Sequence, residues 1–135
     1  MSEDTMTTTT TTALETEAAL HFVTPPPGLS PLTEFALSAV TEELYSLRAV
    51  DADGVRLFLV DPRPYFPEYA PRVSEEVLEE LGTTDPAVLV VVRPGEGQAP
   101  TANLLAPVLV DLATGAAVQT ILENSDEPLR APLPR

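Results

Sequence analysis

The sequence predicts a mainly β fold, a small antiparallel β-barrel-like single domain with one short helix. Short apolar or alternating runs recur with Gly, Pro and Asp turn signals at intervals of roughly 8–12 residues, the spacing of sandwiches and small barrels. Only one stretch carries helix signals at both ends, and 135 residues suit a single core better than two.

Taken in order, residues 1–19 hold a six-Thr run at 7–12, four acidic residues and no aromatic. Such a segment buries too little to offset its ordering entropy, so a disordered tail is expected there and the domain is expected over 20–127. "LHFVT" (20–24) is a first strand, ended by Pro25-Pro26-Pro27-Gly28, and "FALSAV" (35–40) is a second. "LYSLRAV" (44–50) and "VRLFLV" (55–60) flank "DADG", a hairpin signal. In the latter strand Val55, Leu57 and Leu59 share one face and Phe58 and Val60 the other, so both faces are largely apolar.

"DPRPYFPEYAP" (61–71) has four prolines and three of the seven aromatics, which rules out a regular strand or helix. "SEEVLEELG" (74–82) is the helix. Ser74 suits the N-cap, Glu75 and Glu76 the positive end, and Gly82 the position after the last turn. Its apolar stripe, Val77, Leu78 and Leu81, is thin, which predicts packing on something larger.

"VLVVV" (88–92) reads as a strand covered on both faces. "TANLLAPVLVD" (101–111) and the run "AVQTIL" ending at Leu122 are two more, joined across Gly115. Pro107 interrupts the first of these. It has no N–H to give a ladder, so it predicts a bend or bulge where the strand leaves one partner for another. Residues 128–135, rich in proline and without periodicity, are expected to be loose.

Composition excludes several functions. All seven basic residues are arginines, against 21 Asp and Glu, for a net charge of −14. Nucleic-acid binding rests on clustered cations, which no stretch supplies, whereas an acidic field attracts basic proteins and opposes self-association. No apolar run is long enough for a membrane helix or signal peptide, so a soluble, cytoplasmic monomer is expected. Cysteine is absent, which removes disulfides, thiolate metal sites and a cysteine nucleophile.

Catalytic, metal and cofactor sites are expected to be absent. The single histidine, His21, has no acid partner placed for it by the sequence. "DADG" lacks the later glycine and glutamate of a calcium loop and is read as a turn. Glu75, Glu76, Glu79 and Glu80 fall on the wet face of the helix, where they are solvated or steer a partner. Tyr65, Phe66, Glu68 and Tyr69 sit on the rigid proline loop, where aromatics either plug one end of the barrel or anchor an interface. Asn103, ahead of Leu104, either closes off strand-end backbone groups or contacts a ligand. The candidate partner-binding set is Tyr65, Phe66, Glu68, Tyr69, Glu75, Glu76, Asn103 and Leu104.

These stretches in this order resemble the flagellar assembly factor FliW family. The matching pieces are "LFLVDP", "YFPEYAP", "SEEVLEELG", "VLVVV", "TANLLAPVLVD" and "ILENSDEPLRAPL", over about residues 20–133. "GLSPLTEF" departs from the family's Gly-Leu-Pro-Gly-Phe-Glu-like opening, and residues 1–19 have no placed counterpart. The resemblance implies a non-enzymatic β-barrel protein with two alternative partners, flagellin and the translational repressor CsrA. Unexported flagellin would occupy it; once flagellin leaves, the freed protein would capture CsrA and relieve repression of flagellin translation. A flagellin chaperone without CsrA binding, or a small-ligand-binding barrel, are the alternatives.

Overall fold

In the computed structural model, the described residues are 18–95, 97–122 and 125–133. The expected tail therefore lies outside them up to residue 17. Among the described residues, nine strands and one helix follow in chain order: β1 (Ala18–Phe22), β2 (Glu34–Ala39), β3 (Leu44–Ala49), β4 (Arg56–Val60), α1 (Glu75–Leu81), β5 (Ala87–Arg93), β6 (Thr101–Ala102), β7 (Val108–Val110), β8 (Ala116–Gln119) and β9 (Ala131–Pro132). β1 starts two residues before the expected boundary, because Ala18 and Ala19 pair with Leu37 and Ala36 of β2.

Seven strands close a ring in the order β1-β2-β3-β4-β5-β7-β8, and β6 and β9 extend it beside β5. Closure leaves these seven without a free edge, which removes the template for edge-to-edge association. A ring of strictly alternating directions needs an even number of strands. Seven therefore require one parallel seam, which is β1 against β8. At that seam Gly115 holds φ +84°, and a Cβ there would stand 2.5 Å from the Ala19 carbonyl oxygen. Both its dihedral and its closeness to β1 demand glycine.

The β3–β4 hairpin forms as its turn predicts, with Gly54 at φ +84° and Ala49 N–H bonded to the Val55 carbonyl at 3.0 Å. Inside the ring, Leu20, Phe22, Phe35, Leu37, Leu47, Leu59, Leu89, Val108 and Val110 form the main core. The rings of Phe22 and Phe35 meet edge to face with centroids 5.2 Å apart. Alternation sends Val60, Val90 and Val92 to the outer wall, where they are also buried. That explains why β5 reads as continuously apolar.

Two pieces cover the outer wall. α1 lays Leu81, with Val73 and Val77, over Leu109 of β7 and Val118 of β8. Ser74 caps it by accepting from Val77 N–H at 3.3 Å, and Gly82, left-handed at φ +91°, donates to the Leu78 carbonyl at 2.8 Å. The proline loop covers the β4–β5 side.

The C-terminal segment is not loose through residue 133. Ala131 and Pro132 pair with Ala102 and Thr101, Ala131 is 5% exposed, and Leu133 N–H bonds to the Pro100 carbonyl. Proline fits there because β9 borders only one strand. Residues 134 and 135 lie outside the described residues.

Candidate functional site

The proline loop is built from turns, each with its own hydrogen bonds. Asp61 starts it, accepting from the Arg63 backbone N–H at 3.0 Å and holding the guanidinium through Nε at 3.0 Å and Nη2 at 2.7 Å. The Arg63 side-chain hydrogen bond keeps the Asp61 carboxyl below its ordinary value. The Pro62 carbonyl then accepts from Tyr65 and Phe66, and the Phe66 carbonyl from Tyr69.

This geometry lays Tyr65, Phe66 and Tyr69 against Val60, Val90, Val92, Ala102, Leu104 and Ala131. The aromatics thus seal the outer wall and do not plug a barrel end. Tyr65 and Phe66 stay partly exposed and Glu68 is exposed. A hydrogen bond with Glu43, and then burial, raise the Tyr65 phenol above its ordinary value. Tyr69 is different. Its hydroxyl donates to the Leu104 carbonyl at 2.6 Å, and burial pushes its pKa far up.

That carbonyl belongs to the bulge at Pro107. Val92 pairs with Ala102 and Leu89 with Val108, so Val90 and Val91 stand opposite residues 103–107, three more than a regular ladder allows. Before the bulge the strand borders β9, and after it β8. The change of partner expected at Pro107 is present. The irregular backbone is satisfied nearly group by group, as a buried segment requires. Asn103 N–H bonds to Val91, Leu104 N–H to Pro128, and the Leu105 and Pro107 carbonyls accept from Leu122 and Thr120. Asn103 Oδ1 accepts from Leu105 N–H at 3.1 Å and Ala106 N–H at 3.0 Å, while Gln119 Nε2 donates to the Ala106 carbonyl at 3.0 Å. Pro107, fully buried, contributes no donor where none is needed.

The predicted residues therefore divide. Asn103 closes backbone groups, and Leu104, 4% exposed, presents no side chain to a partner in this conformation. Tyr69 joins them as a structural tie. Tyr65, Phe66 and Glu68 form an accessible patch on one cover, and Glu75 and Glu76 stand exposed on the other, with Glu79 and Glu80 beside them. His21 does gain an acid partner, because β1–β2 register sets its Nδ1 against Glu34, but both side chains are solvent-exposed. Among the described residues no group of three or more His, Asp or Glu could hold a metal, and no helix is long and apolar enough to cross a membrane.

A second feature lies at one mouth of the barrel. A cavity of about 420 Å³ has Leu57 and Val91, both packed on the main core, among its walls, with Arg93, Arg130, Ile121 and Leu129 also lining it. Register explains the arginines. Arg93 stands opposite Thr101, and Ala102 opposite Ala131, so Arg130 falls opposite Asn103. Alternation places all four on the face opposite Val92 and Ala131. The sequence shows two arginines 37 positions apart with no motif around either.

A family model described as FliW protein matches residues 3–133, including most of the segment for which no counterpart was expected. Flagellar assembly factor FliW of Thermotoga neapolitana is 35% identical over 112 residues, covering 77% of this chain and 74% of the relative. The protein of the same name from Caldanaerobacter subterraneus subsp. tengcongensis is 28% identical over 124 residues, covering 87% and 83%. A crystal structure of the flagellar assembly factor FliW superposes with a TM-score of 0.81 at 25% identity, covering 87% of this chain and 86% of that one.

Proposed function

This chain belongs to the FliW family, and on that footing we propose that it is a non-enzymatic cytoplasmic assembly factor. It binds flagellin and, alternatively, CsrA, thereby coupling flagellin translation to export. The observation that carries the reading is the family match across nearly the whole chain, 3–133. Charge supports the second partner: a net charge of −14 and a helix face of four exposed glutamates suit capture of a basic RNA-binding protein and repel RNA itself. It acts as a monomer by occupying CsrA, with no cofactor and no bond made or broken. Tyr65 and Phe66 supply apolar contact area and Glu75 and Glu76 the attraction.

The test is binding kinetics with purified flagellin and purified CsrA, separately and in competition. Tight binding to each, with flagellin displacing CsrA, is the expected result. Binding to flagellin alone would reduce the protein to a chaperone. Binding to neither would overturn the reading.

A further inference from the structure

The acidic field and the barrel mouth make opposite demands on a partner. Arg93 and Arg130 are two of only seven cations in the chain, both are exposed, and neither has an ion-pair partner among the described residues. They lie on one face of the sheet, two strand spacings and two residues apart, or roughly 12 Å between backbones. Thr101 and Asn103 stand on the strand between them, and beneath these the cavity floor is apolar. Leu57 and Val91 continue the barrel core into the cavity, and Ile121 and Leu129 line it while remaining 62% and 56% exposed. Exposed branched side chains around an apolar floor mark a contact surface.

We propose that this mouth receives an apolar segment of a partner protein that carries a carboxylate, held by Arg93 and Arg130. Guanidinium groups bind carboxylates through paired N–H donors, a stronger contact than a neutral hydrogen bond. Charge complementarity fixes this occupant. A phosphate-bearing nucleic acid or an anionic membrane would have to approach through the whole acidic field, whereas a short segment meets only the local cationic rim. An enclosed small molecule would leave Ile121 and Leu129 in water, while a chain segment covers them. The proposal rests on the reading of this protein as a protein-binding module. It adds a second surface, remote in chemistry from the helix glutamates, so an acidic-apolar segment and a basic partner need not compete for the same side chains.

The experiment selects random dodecapeptides displayed on phage against the immobilised full chain, then measures the selected peptides in solution. Enriched peptides should combine Leu, Ile or Phe with Asp or Glu, and their amide-shift footprint should centre on Leu57, Val91 and Ile121. R93Q/R130Q should weaken binding at least about tenfold. Replacing the peptide's acid by its amide should weaken binding to the unaltered protein and hardly affect the variant. Ile121→Ser provides a second variant that leaves both charges in place and should also weaken binding.

Selected peptides without an acid, unchanged affinity in R93Q/R130Q, or no enrichment would overturn the proposal. So would a concentration-dependent dimer that R93Q/R130Q dissolves, which would make a second copy the occupant. Peptide binding at the mouth without binding of flagellin or CsrA would remove those named partners and keep the mouth. The reverse outcome, with both partners binding and no peptide selected, would remove the mouth and keep the partners.

Discussion

The two covers of the barrel wall, helix α1 and the proline loop 61–71, bury similar apolar patches with different wiring. α1 satisfies its backbone internally, is capped within its own nine residues, and touches the wall mainly through Leu81. The loop satisfies itself through turns and is tied to the bulge 35 residues away by the Tyr69 hydroxyl. One cover is a local solution and the other is a long-range one. The difference teaches where damage should stay local and where it should spread.

The largest effect is expected on the helix side. Leu81 is 3% exposed and has no close substitute in the thin stripe, so Leu81→Ala should cost about 3 kcal/mol in denaturant melts. Hydrogen exchange should rise in α1 and along β7–β8 while the loop stays protected. Exchange that rises equally in the loop would break the claim that the helix is a local cover.

Damage to the bulge should be somewhat smaller and wider. Asn103→Ala deprives Leu105 and Ala106 of their acceptor, and a loss of about 2 kcal/mol is expected. Pro107→Val, which adds an N–H at a fully buried position shaped to lack one, should cost about 1–3 kcal/mol. In both variants exchange should rise in the loop, in β9 and beyond β8, because each has hydrogen bonds to residues 101–107 or packs on them. A neutral Pro107→Val would make this an ordinary strand position.

Tyr69→Phe isolates the tie itself. It keeps the ring and removes the donor to Leu104, for an expected loss of about 1 kcal/mol. The same tie has a pH signature. Because the folded-state pKa of Tyr69 is raised, its contribution is fully present below the ordinary tyrosine pKa near 10 and declines as pH rises above it. Alkaline melts of the unaltered protein should therefore lose stability more steeply than those of Tyr69→Phe. Parallel curves would mean that the phenol is not held neutral by the fold.

The same split between local and long-range explains what the sequence reveals. The β3–β4 hairpin, the two-faced β5, the caps of α1 and the bulge at Pro107 follow from residues close together in the chain. So does Asn103 as a backbone-closing amide, since its acceptor serves two N–H groups within the next three residues. The parallel β1–β8 seam, the pairing of Ala131 with Ala102 and the tie from Tyr69 to Leu104 have no local signal. Each depends on register set elsewhere. The C-terminal segment reads as loose for that reason, because two residues with no periodicity become a strand only when β6 offers an edge. The mouth arginines are the extreme case: they meet only after three separate strands have found their registers.

The smallest effect on stability is expected from the side chains most concerned with partners. Glu75, Glu76, Glu79 and Glu80 are exposed on the outer face of α1, so changing all four to Gln should leave the melting temperature nearly unchanged. Their role would appear in rates. Charges at the rim of an interface raise association through long-range attraction, while buried anchors govern dissociation. With purified CsrA at low salt, the four-Gln variant should associate more slowly than the unaltered chain and dissociate at the same rate. Raising the salt shortens the screening length to a few ångströms and should erase the difference. Tyr65→Ala should show the opposite pattern, faster dissociation with association and its salt dependence preserved, since that ring lies on the other cover and only part of it is spent on sealing the wall. If the glutamate variant instead dissociates faster at every salt concentration, the helix face is a contact surface in its own right. The two covers would then divide the work of binding by position and not by chemistry.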